Sequence, residues 1–131
     1  MNELTIELNM LLWSAILYLL HILVAAVGAD ANNGISWAVG NHDTQPELPE
    51  WVNRARRAQA NMAENLLPFA CLILVAHASG NLGYWSALGA QLFLVSRIAF
   101  WLFYLAGIKI IRTIVYLFGV VGMGMVAYQM F

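Results

Sequence analysis

The sequence predicts an all-α membrane protein that folds as a single bundle of four transmembrane helices. Of its 131 residues, 62% are hydrophobic and only 10% are charged. In a soluble domain, about a quarter of the residues are charged. Four apolar runs each approach or exceed the about 20 residues that a helix needs to cross the hydrocarbon core. Runs of this length exclude barrel strands, and lipid allows only helices or closed barrels to span it.

The four helices are expected to cover residues 5–29, 47–79, 82–105 and 109–131, within one domain of residues 1–131. Glu3 and Glu7 precede the first run in place of a basic segment, so this run predicts a permanent span and not a cleaved signal peptide. Thr44 and Glu47 have the spacing of a capping box, which favours a start of the second helix near Glu47. Short turns then predict that helices two to four pack as antiparallel neighbours.

Basic residues predict the orientation of the bundle. Arg54, Arg56 and Arg57 end the long first loop, and Lys109 and Arg112 lie at the turn between helices three and four. With four spans, these two places are on the same side of the membrane. The positive-inside rule predicts that this side is cytoplasmic and that both termini are non-cytoplasmic, in the inner membrane if the protein is bacterial.

Composition argues against several other classes of function. The formal net charge is −1 and the six basic residues form no tail or stripe, so nucleic-acid binding has no support. The single Cys71 lies in an apolar run and is expected to be a small buried hydrophobe. No pair of histidines or carboxylates has the spacing of metal ligands. His21 and His77 are expected to be hydrogen-bonded packing residues.

A polar face on the second helix is the strongest functional signal. Glu64 enters the apolar stretch 66–76, where a carboxylate is costly unless it is paired or binds something. Because each helical residue advances by about 100°, this carboxylate shares one face with Arg54, Arg57 and Asn61. The pattern predicts a polar site inside the membrane, close to one surface.

The third and fourth helices are expected to complete this site. On helix three, Arg97 and Tyr104 are seven residues apart and share a face. On helix four, Arg112, Thr113 and Tyr116 lie within one turn of each other. Four arginines then oppose one internal carboxylate, and a bound anion would offset the excess charge. Since the guanidinium fork suits carboxylates, the sequence favours a polar anion that meets an apolar partner arriving from the lipid.

The order Arg57-Ala58-Gln59-x-Asn61-x-x-Glu64-x-x-x-Pro68, at the start of the second span, resembles the signature of the MAPEG family. These are the membrane-associated proteins in eicosanoid and glutathione metabolism, which include leukotriene C4 synthase and the microsomal glutathione transferases. The resemblance extends over the whole chain. It implies a homotrimer that binds glutathione between subunits near the cytoplasmic side, together with a lipophilic small-molecule substrate.

The resemblance also implies roles for individual residues. Arg112 matches the arginine that stabilises the glutathione thiolate, and the family's other contacts correspond to Arg54, Arg57, Asn61, Glu64, Arg97, Tyr104, Thr113 and Tyr116. The implied activity is that of a transferase or peroxidase acting on lipophilic electrophiles or lipid hydroperoxides by thiolate activation. Ala60 and Phe100 depart from the pattern, since prostaglandin synthase-like members carry a basic residue and a histidine at these positions.

Three other interpretations of the polar residues stay open. They could form a structural cluster that fixes helix packing, as small polar groups between spans often do. The chain could be a non-catalytic member that keeps the scaffold and binds a lipid or a partner protein. It could also be a small transporter subunit, although transporter sites usually lie near the bilayer midplane and these residues cluster towards one end.

Overall fold

Four long helices and one short helix form the protein in the computed structural model, which describes residues 3–43 and 47–131. The helices are α1 (Ile6–Asn33), α2 (Ile35–Ala38), α3 (Glu50–Ser79), α4 (Tyr84–Leu105) and α5 (Ile110–Gln129). The described residues contain no strand, and α1, α3, α4 and α5 are each long and apolar enough to span a membrane. The predicted four-helix membrane fold is therefore confirmed.

Two helix boundaries differ from those expected. Helix α1 continues to Asn33, four residues beyond residue 29, and ends where Gly34 adopts a positive φ of 88° and donates its amide to the carbonyl of Asp30. Helix α3 begins at Glu50 and not near Glu47, because Pro49 is its N-cap with an extended ψ of 147°. Of the expected capping box, Thr44 lies outside the described residues. The other boundaries differ by at most two residues.

Helix α4 is the centre of the bundle. It packs most closely against α5, and it also contacts α1 and α3. Helix α3 pairs most closely with α1 and also contacts α4 and α5. Rings of Phe69 and Phe93 stack at 3.8 Å across α3 and α4. The core around them is apolar and consists of Leu17, Met62, Phe69, Ile73, Ala76, Ala90, Phe93 and Val126.

Glycines bring α4 and α5 into backbone contact. A Cβ on Gly122 would lie 2.6 Å from the carbonyl oxygen of Gly89. Neither position therefore has room for a side chain. Gly119 is also buried, against Ser96, whereas a Cβ on Gly124 would meet nothing within 4 Å. Gly119 and Gly122 are therefore close-packing positions of α5, whereas Gly124 is not.

Polar contacts close the end of the bundle where the chain begins. The carboxylate of Glu7 is buried and accepts a short hydrogen bond from the Ser86 hydroxyl. At the same end of the bundle, near the C-terminus, the side-chain oxygen of Gln129 accepts a hydrogen bond from the backbone amide of Trp85 at 3.1 Å. The opposite end, where α3 begins and α4 turns into α5, carries the predicted site residues.

Candidate functional site

Arg97 is the largest fully buried side chain of the described protein, with 1% of its surface exposed. It lies on α4, and its Nη2 donates a hydrogen bond of 2.7 Å to the side-chain oxygen of Asn61 on α3. Its Nε and Nη1 have no hydrogen-bond partner among the described residues. Because a buried charge is stable only when it is paired or hydrogen-bonded, Asn61 is an essential part of this arrangement.

Asn61 is held in place by its own helix. The side chain of Asn65, one turn later, donates to the Asn61 backbone oxygen at 2.8 Å and to its side-chain oxygen at 3.4 Å. One carboxamide oxygen thus accepts from both Asn65 and Arg97. Further along α3, Pro68 cannot donate an amide hydrogen to the carbonyl of Glu64 four residues earlier, which leaves that carbonyl without its usual helical partner.

Arg112 stacks on Tyr104. The guanidinium carbon of Arg112, in the first turn of α5, lies 4.2 Å from the centre of the Tyr104 ring near the end of α4. Such a contact contributes about 0.5–2 kcal/mol, with the larger value for desolvated pairs. Since Arg112 is only half-buried, its charge is oriented by the ring and still reaches the surface of the subunit.

Aromatic rings connect the two arginines. Phe100 lies 4.4 Å beneath the Arg97 guanidinium and meets the Tyr104 ring edge-on at 5.4 Å. Tyr116 on α5 lies 5.9 Å from Phe100 and 5.9 Å from the Arg97 guanidinium. Contacts therefore run without a break from Asn61 to Arg112 through α3, α4 and α5. We call this set the polar-aromatic cluster; it consists of Asn61, Arg97, Phe100, Tyr104, Arg112 and Tyr116.

Four predicted site residues lie outside these contacts. Arg57 and Glu64 are exposed on the subunit and make no hydrogen bond or ion pair within the described parts of the chain. Arg54 donates its Nε to the backbone oxygen of Leu105 at 3.1 Å, so it holds the turn between α4 and α5. Thr113 is exposed, and its hydroxyl donates to the Lys109 carbonyl at 3.1 Å.

Comparison with known families decides what this arrangement belongs to. The model described as MAPEG family matches residues 10–131, nearly the whole chain. The chain belongs to the MAPEG family. No curated protein and no solved structure matches it. The match is to the family as a whole, which includes glutathione transferases and peroxidases as well as non-catalytic members.

Two further buried residues of this MAPEG chain, His21 and Trp101, contact each other and were not predicted as site residues. His21 on α1 is 1% exposed and stacks on Trp101 at 4.4 Å, and neither ring nitrogen has a hydrogen-bond partner among the described residues. The Trp101 indole nitrogen is likewise buried without one. Trp101 follows Arg97 by four residues and so shares its face of α4. This four-residue spacing could have pointed to Trp101 from the sequence. It could not show that His21 on α1 packs against Trp101.

Residues that could hold a metal ion are absent from the described parts of this MAPEG chain, where no three His, Cys, Asp or Glu side chains come together. The donors at the site are instead guanidinium, phenol and carboxamide groups. Such groups recognise carboxylates and other anions by charge-assisted hydrogen bonds. The chemistry that the cluster can support is therefore anion binding.

Proposed function

We propose that this protein is a glutathione-dependent transferase or peroxidase that acts on lipophilic electrophiles or lipid hydroperoxides. The site would lie between the subunits of a homotrimer. The observation that supports this best is the stacking of Arg112 on Tyr104 at 4.2 Å, at the half-buried end of a cluster that is anchored by the Arg97–Asn61 hydrogen bond. In this proposal, the oriented cation is available both to a ligand that arrives from the cytoplasm and to one that arrives from the lipid.

The exposed residues fit the groups that glutathione carries. Glutathione has two carboxylates, one ammonium and one thiol. Arg57 offers a guanidinium for a carboxylate and Glu64 a carboxylate for the ammonium, and neither is engaged within the described subunit. Their seven-residue separation puts both on one face of α3, so one extended ligand can reach them together.

Arg112 carries the catalytic role in this proposal. A free thiol has a pKa of about 8.5, and a nearby cation in a site of low dielectric lowers it. When bound, glutathione would supply the nucleophilic sulfur for attack on the electrophile or hydroperoxide. The Tyr104 ring keeps the Arg112 guanidinium in one orientation, so that its charge is directed at the position where the sulfur becomes negative. No protein nucleophile is required.

The buried part of the cluster acts as a support. Arg97 holds the Asn61 carboxamide in one orientation, which leaves the Asn61 amide group available to donate to a ligand. The Tyr116 ring lies 5.9 Å from the same guanidinium, and in this proposal its hydroxyl is a further donor to the ligand. Arg54 fixes the turn that leads into Arg112, and the Thr113 hydroxyl lies next to Arg112 in sequence.

The proposal is tested by titrating the purified protein with glutathione while thiolate absorbance is followed in the ultraviolet. We expect wild-type protein to form thiolate and to conjugate chlorodinitrobenzene. Arg112→Ala should bind S-methylglutathione, which has no free thiol, about as tightly as wild type. It should lose the thiolate signal and about 100-fold or more of the conjugation rate, as expected for a group that stabilises developing charge.

Lys109→Gln is the matched control, because Lys109 is exposed, lies three residues before Arg112 and has no place in the cluster. This substitution removes one positive charge from the same turn and should keep both thiolate formation and conjugation. If wild-type protein binds glutathione without forming thiolate, or if Arg112→Ala conjugates at the wild-type rate, the catalytic proposal is wrong.

A non-catalytic role on the same scaffold is the second candidate. It is favoured by the complete burial of Arg97, whose neighbours Asn61, Phe100 and Tyr116 would also serve as a purely structural cluster. The same titration separates the two. A non-catalytic member would show no thiolate and no conjugation while remaining stable and correctly folded.

A further inference from the structure

Five buried side-chain nitrogens in the described part of the chain have no hydrogen-bond partner, and they come from only three residues. These atoms are Nδ1 and Nε2 of His21, Nε and Nη1 of Arg97, and Nε1 of Trp101. His21 and Arg97 are each 1% exposed. Unsatisfied polar groups are costly in the interior of a membrane bundle, because no bulk water reaches them there. Their concentration in three residues therefore points to a shared partner.

The three residues lie together between α1 and α4. The ring of His21 on α1 stacks on the ring of Trp101 on α4, with centres 4.4 Å apart. Arg97 precedes Trp101 by one turn and shares its face of α4. The Arg97 guanidinium is close enough for its charge to act on His21. The unpartnered nitrogens therefore belong to one place inside the subunit, on the α1 side of Arg97.

Other polar side chains on these helices are already engaged. The Ser14 hydroxyl on α1 donates to a carbonyl of its own helix at 2.7 Å, and the Ser96 hydroxyl on α4 does the same at 2.9 Å. The Asn61 side-chain oxygen accepts from a different nitrogen of Arg97, Nη2, at 2.7 Å. The described residues thus supply no further acceptor for Nε and Nη1 of Arg97.

The hydrogen-bonding capacities of the three side chains define the missing partner. Arg97 and Trp101 can only donate, whereas the neutral imidazole of His21 offers one donor and one acceptor nitrogen. A halide ion would accept from the donors and would leave the acceptor nitrogen of His21 without a partner. Water both accepts and donates, so it can satisfy both kinds of nitrogen. Buried waters typically make about three hydrogen bonds to polar groups that are otherwise unsatisfied.

We infer that His21, Arg97 and Trp101 form an internal hydration site within each subunit. Bound water accepts hydrogen bonds from Arg97 and Trp101 and donates to His21. This water connects α1 to the polar-aromatic cluster, because it holds Nε and Nη1 of Arg97 while Asn61 holds Nη2. His21 is then a positioning residue for the buried guanidinium. The inference does not depend on the binding of glutathione.

The test detects water at the Trp101 indole directly. Full-length protein with isotopically labelled tryptophan is placed in micelles of deuterated detergent, and nuclear Overhauser cross-peaks between indole N–H protons and water are recorded without glutathione. Trp101→Phe assigns the Trp101 resonance. We expect wild-type protein to show a cross-peak between water and this buried indole.

Two substitutions of His21 then test its part in the site. His21→Leu removes both ring nitrogens and should lose the cross-peak, because apolar cavities stay dry. His21→Gln keeps a donor and an acceptor and should retain it. His77→Leu is the matched control, since His77 is exposed at the end of α3 and the same substitution there should leave the cross-peak unchanged. Arg112→Ala should also keep it, so failure of the hydration site is distinguishable from failure of the proposed catalytic function.

Four results would overturn the inference. One is the absence of the cross-peak in folded wild-type protein, which requires no variant to fold. Another is a cross-peak that persists at full intensity in His21→Leu. A shift of the Trp101 resonance when chloride is replaced by gluconate would assign the site to a halide. Loss of the cross-peak at saturating glutathione would make the site part of the glutathione site.

Discussion

Asn61 is the described side chain that hydrogen-bonds to the buried Arg97 guanidinium. Its oxygen accepts from both Arg97 and Asn65, and its amide group takes no part in these bonds. The carboxamide is therefore used as an acceptor. The contribution of residue 61 to stability should therefore depend on its acceptor oxygen more than on its amide nitrogen.

We predict that Asn61→Ala lowers the free energy of unfolding by about 1.5–3 kcal/mol, the range for a hydrogen bond to a charged group. Asn61→Asp keeps the acceptor oxygen and adds a negative charge opposite Arg97, so its stability should stay near that of wild type or exceed it. Unfolding in mixed micelles of increasing dodecyl sulfate content measures both changes. Asn81→Ala, in the exposed turn after α3, is the control. Equal destabilisation by Ala and Asp would contradict the acceptor role.

The Tyr104 ring and the Tyr104 hydroxyl make separable contributions under the proposed function. Tyr104→Phe keeps the stack on Arg112 and should keep the thiolate fraction of bound glutathione, with a severalfold weaker affinity if the hydroxyl contacts the ligand. Tyr104→Leu removes the cation–π contact, worth about 0.5–2 kcal/mol, and should lower the thiolate fraction itself. Thiolate absorbance at saturating glutathione distinguishes them. Identical signals from the two variants would exclude the orienting role.

At the scale of elements, the contact of α4 with α5 depends on glycines. A Cβ on Gly122 would meet the Gly89 carbonyl at 2.6 Å and the backbone nitrogen of Phe93 at 2.9 Å. Both neighbours are backbone atoms, which cannot move aside as a flexible side chain can. Overpacking of this kind costs about 1–3 kcal/mol.

We therefore predict that Gly122→Ala destabilises the protein by about 1–3 kcal/mol in the same micelle titration. Gly124→Ala is a matched control two residues later on α5, where an added Cβ meets nothing within 4 Å. Alanine is the better helix former by up to about 1 kcal/mol, so this control should be neutral or slightly stabilising. A Gly122→Ala protein as stable as Gly124→Ala would show that the two backbones are not in contact.

Sequence patterns predicted the spans because a helix needs about 20 apolar residues to cross the hydrocarbon core, and runs of that length can be identified directly in the sequence. They did not predict the extension of α1 through Asp30 and Asn33, since polar residues with low helix propensity are overridden by the Gly34 cap. Nor did they predict α2. The long first loop gives no periodicity from which a four-residue helix could be read.

The candidate site was predicted in part for a similar reason. Helical phase predicted that Arg54, Arg57, Asn61 and Glu64 share one face of α3, but phase does not tell which side of the helix is covered by its neighbours. The buried line of α3 runs through Ala58, Met62, Asn65 and Phe69, so Asn61 at its edge meets Arg97 while Arg57 and Glu64 stay exposed. The burial of Arg97 follows from how α4 sits against three other helices, which is a tertiary property.

At the scale of the whole molecule, Glu64 is the residue that tests the proposed homotrimer. It is exposed on a single subunit in the apolar half of α3, and a carboxylate that faces lipid there is costly. A neighbouring subunit of the proposed homotrimer would remove that cost by contributing donors. Subunit interfaces in a cyclic trimer join two different faces, so the partner of Glu64 need not be another Glu64.

The variant Glu64→Leu distinguishes a Glu64 that faces lipid from a Glu64 that contacts a neighbouring subunit. If Glu64 faces lipid, leucine is favourable by about 2.5–4 kcal/mol on insertion scales, and the subunit should become more stable with its oligomeric state unchanged. If Glu64 contacts a neighbour across the interface, leucine should lower the fraction of trimer at a given detergent dilution. Native mass spectrometry measures this fraction at three times the 14.5 kDa of one subunit. We expect the trimer to weaken, with Glu50→Leu, outside the apolar half of α3, as the control that leaves it intact. A more stable Glu64→Leu protein at wild-type stoichiometry would place this carboxylate in lipid, and an intersubunit site built around it would then be wrong.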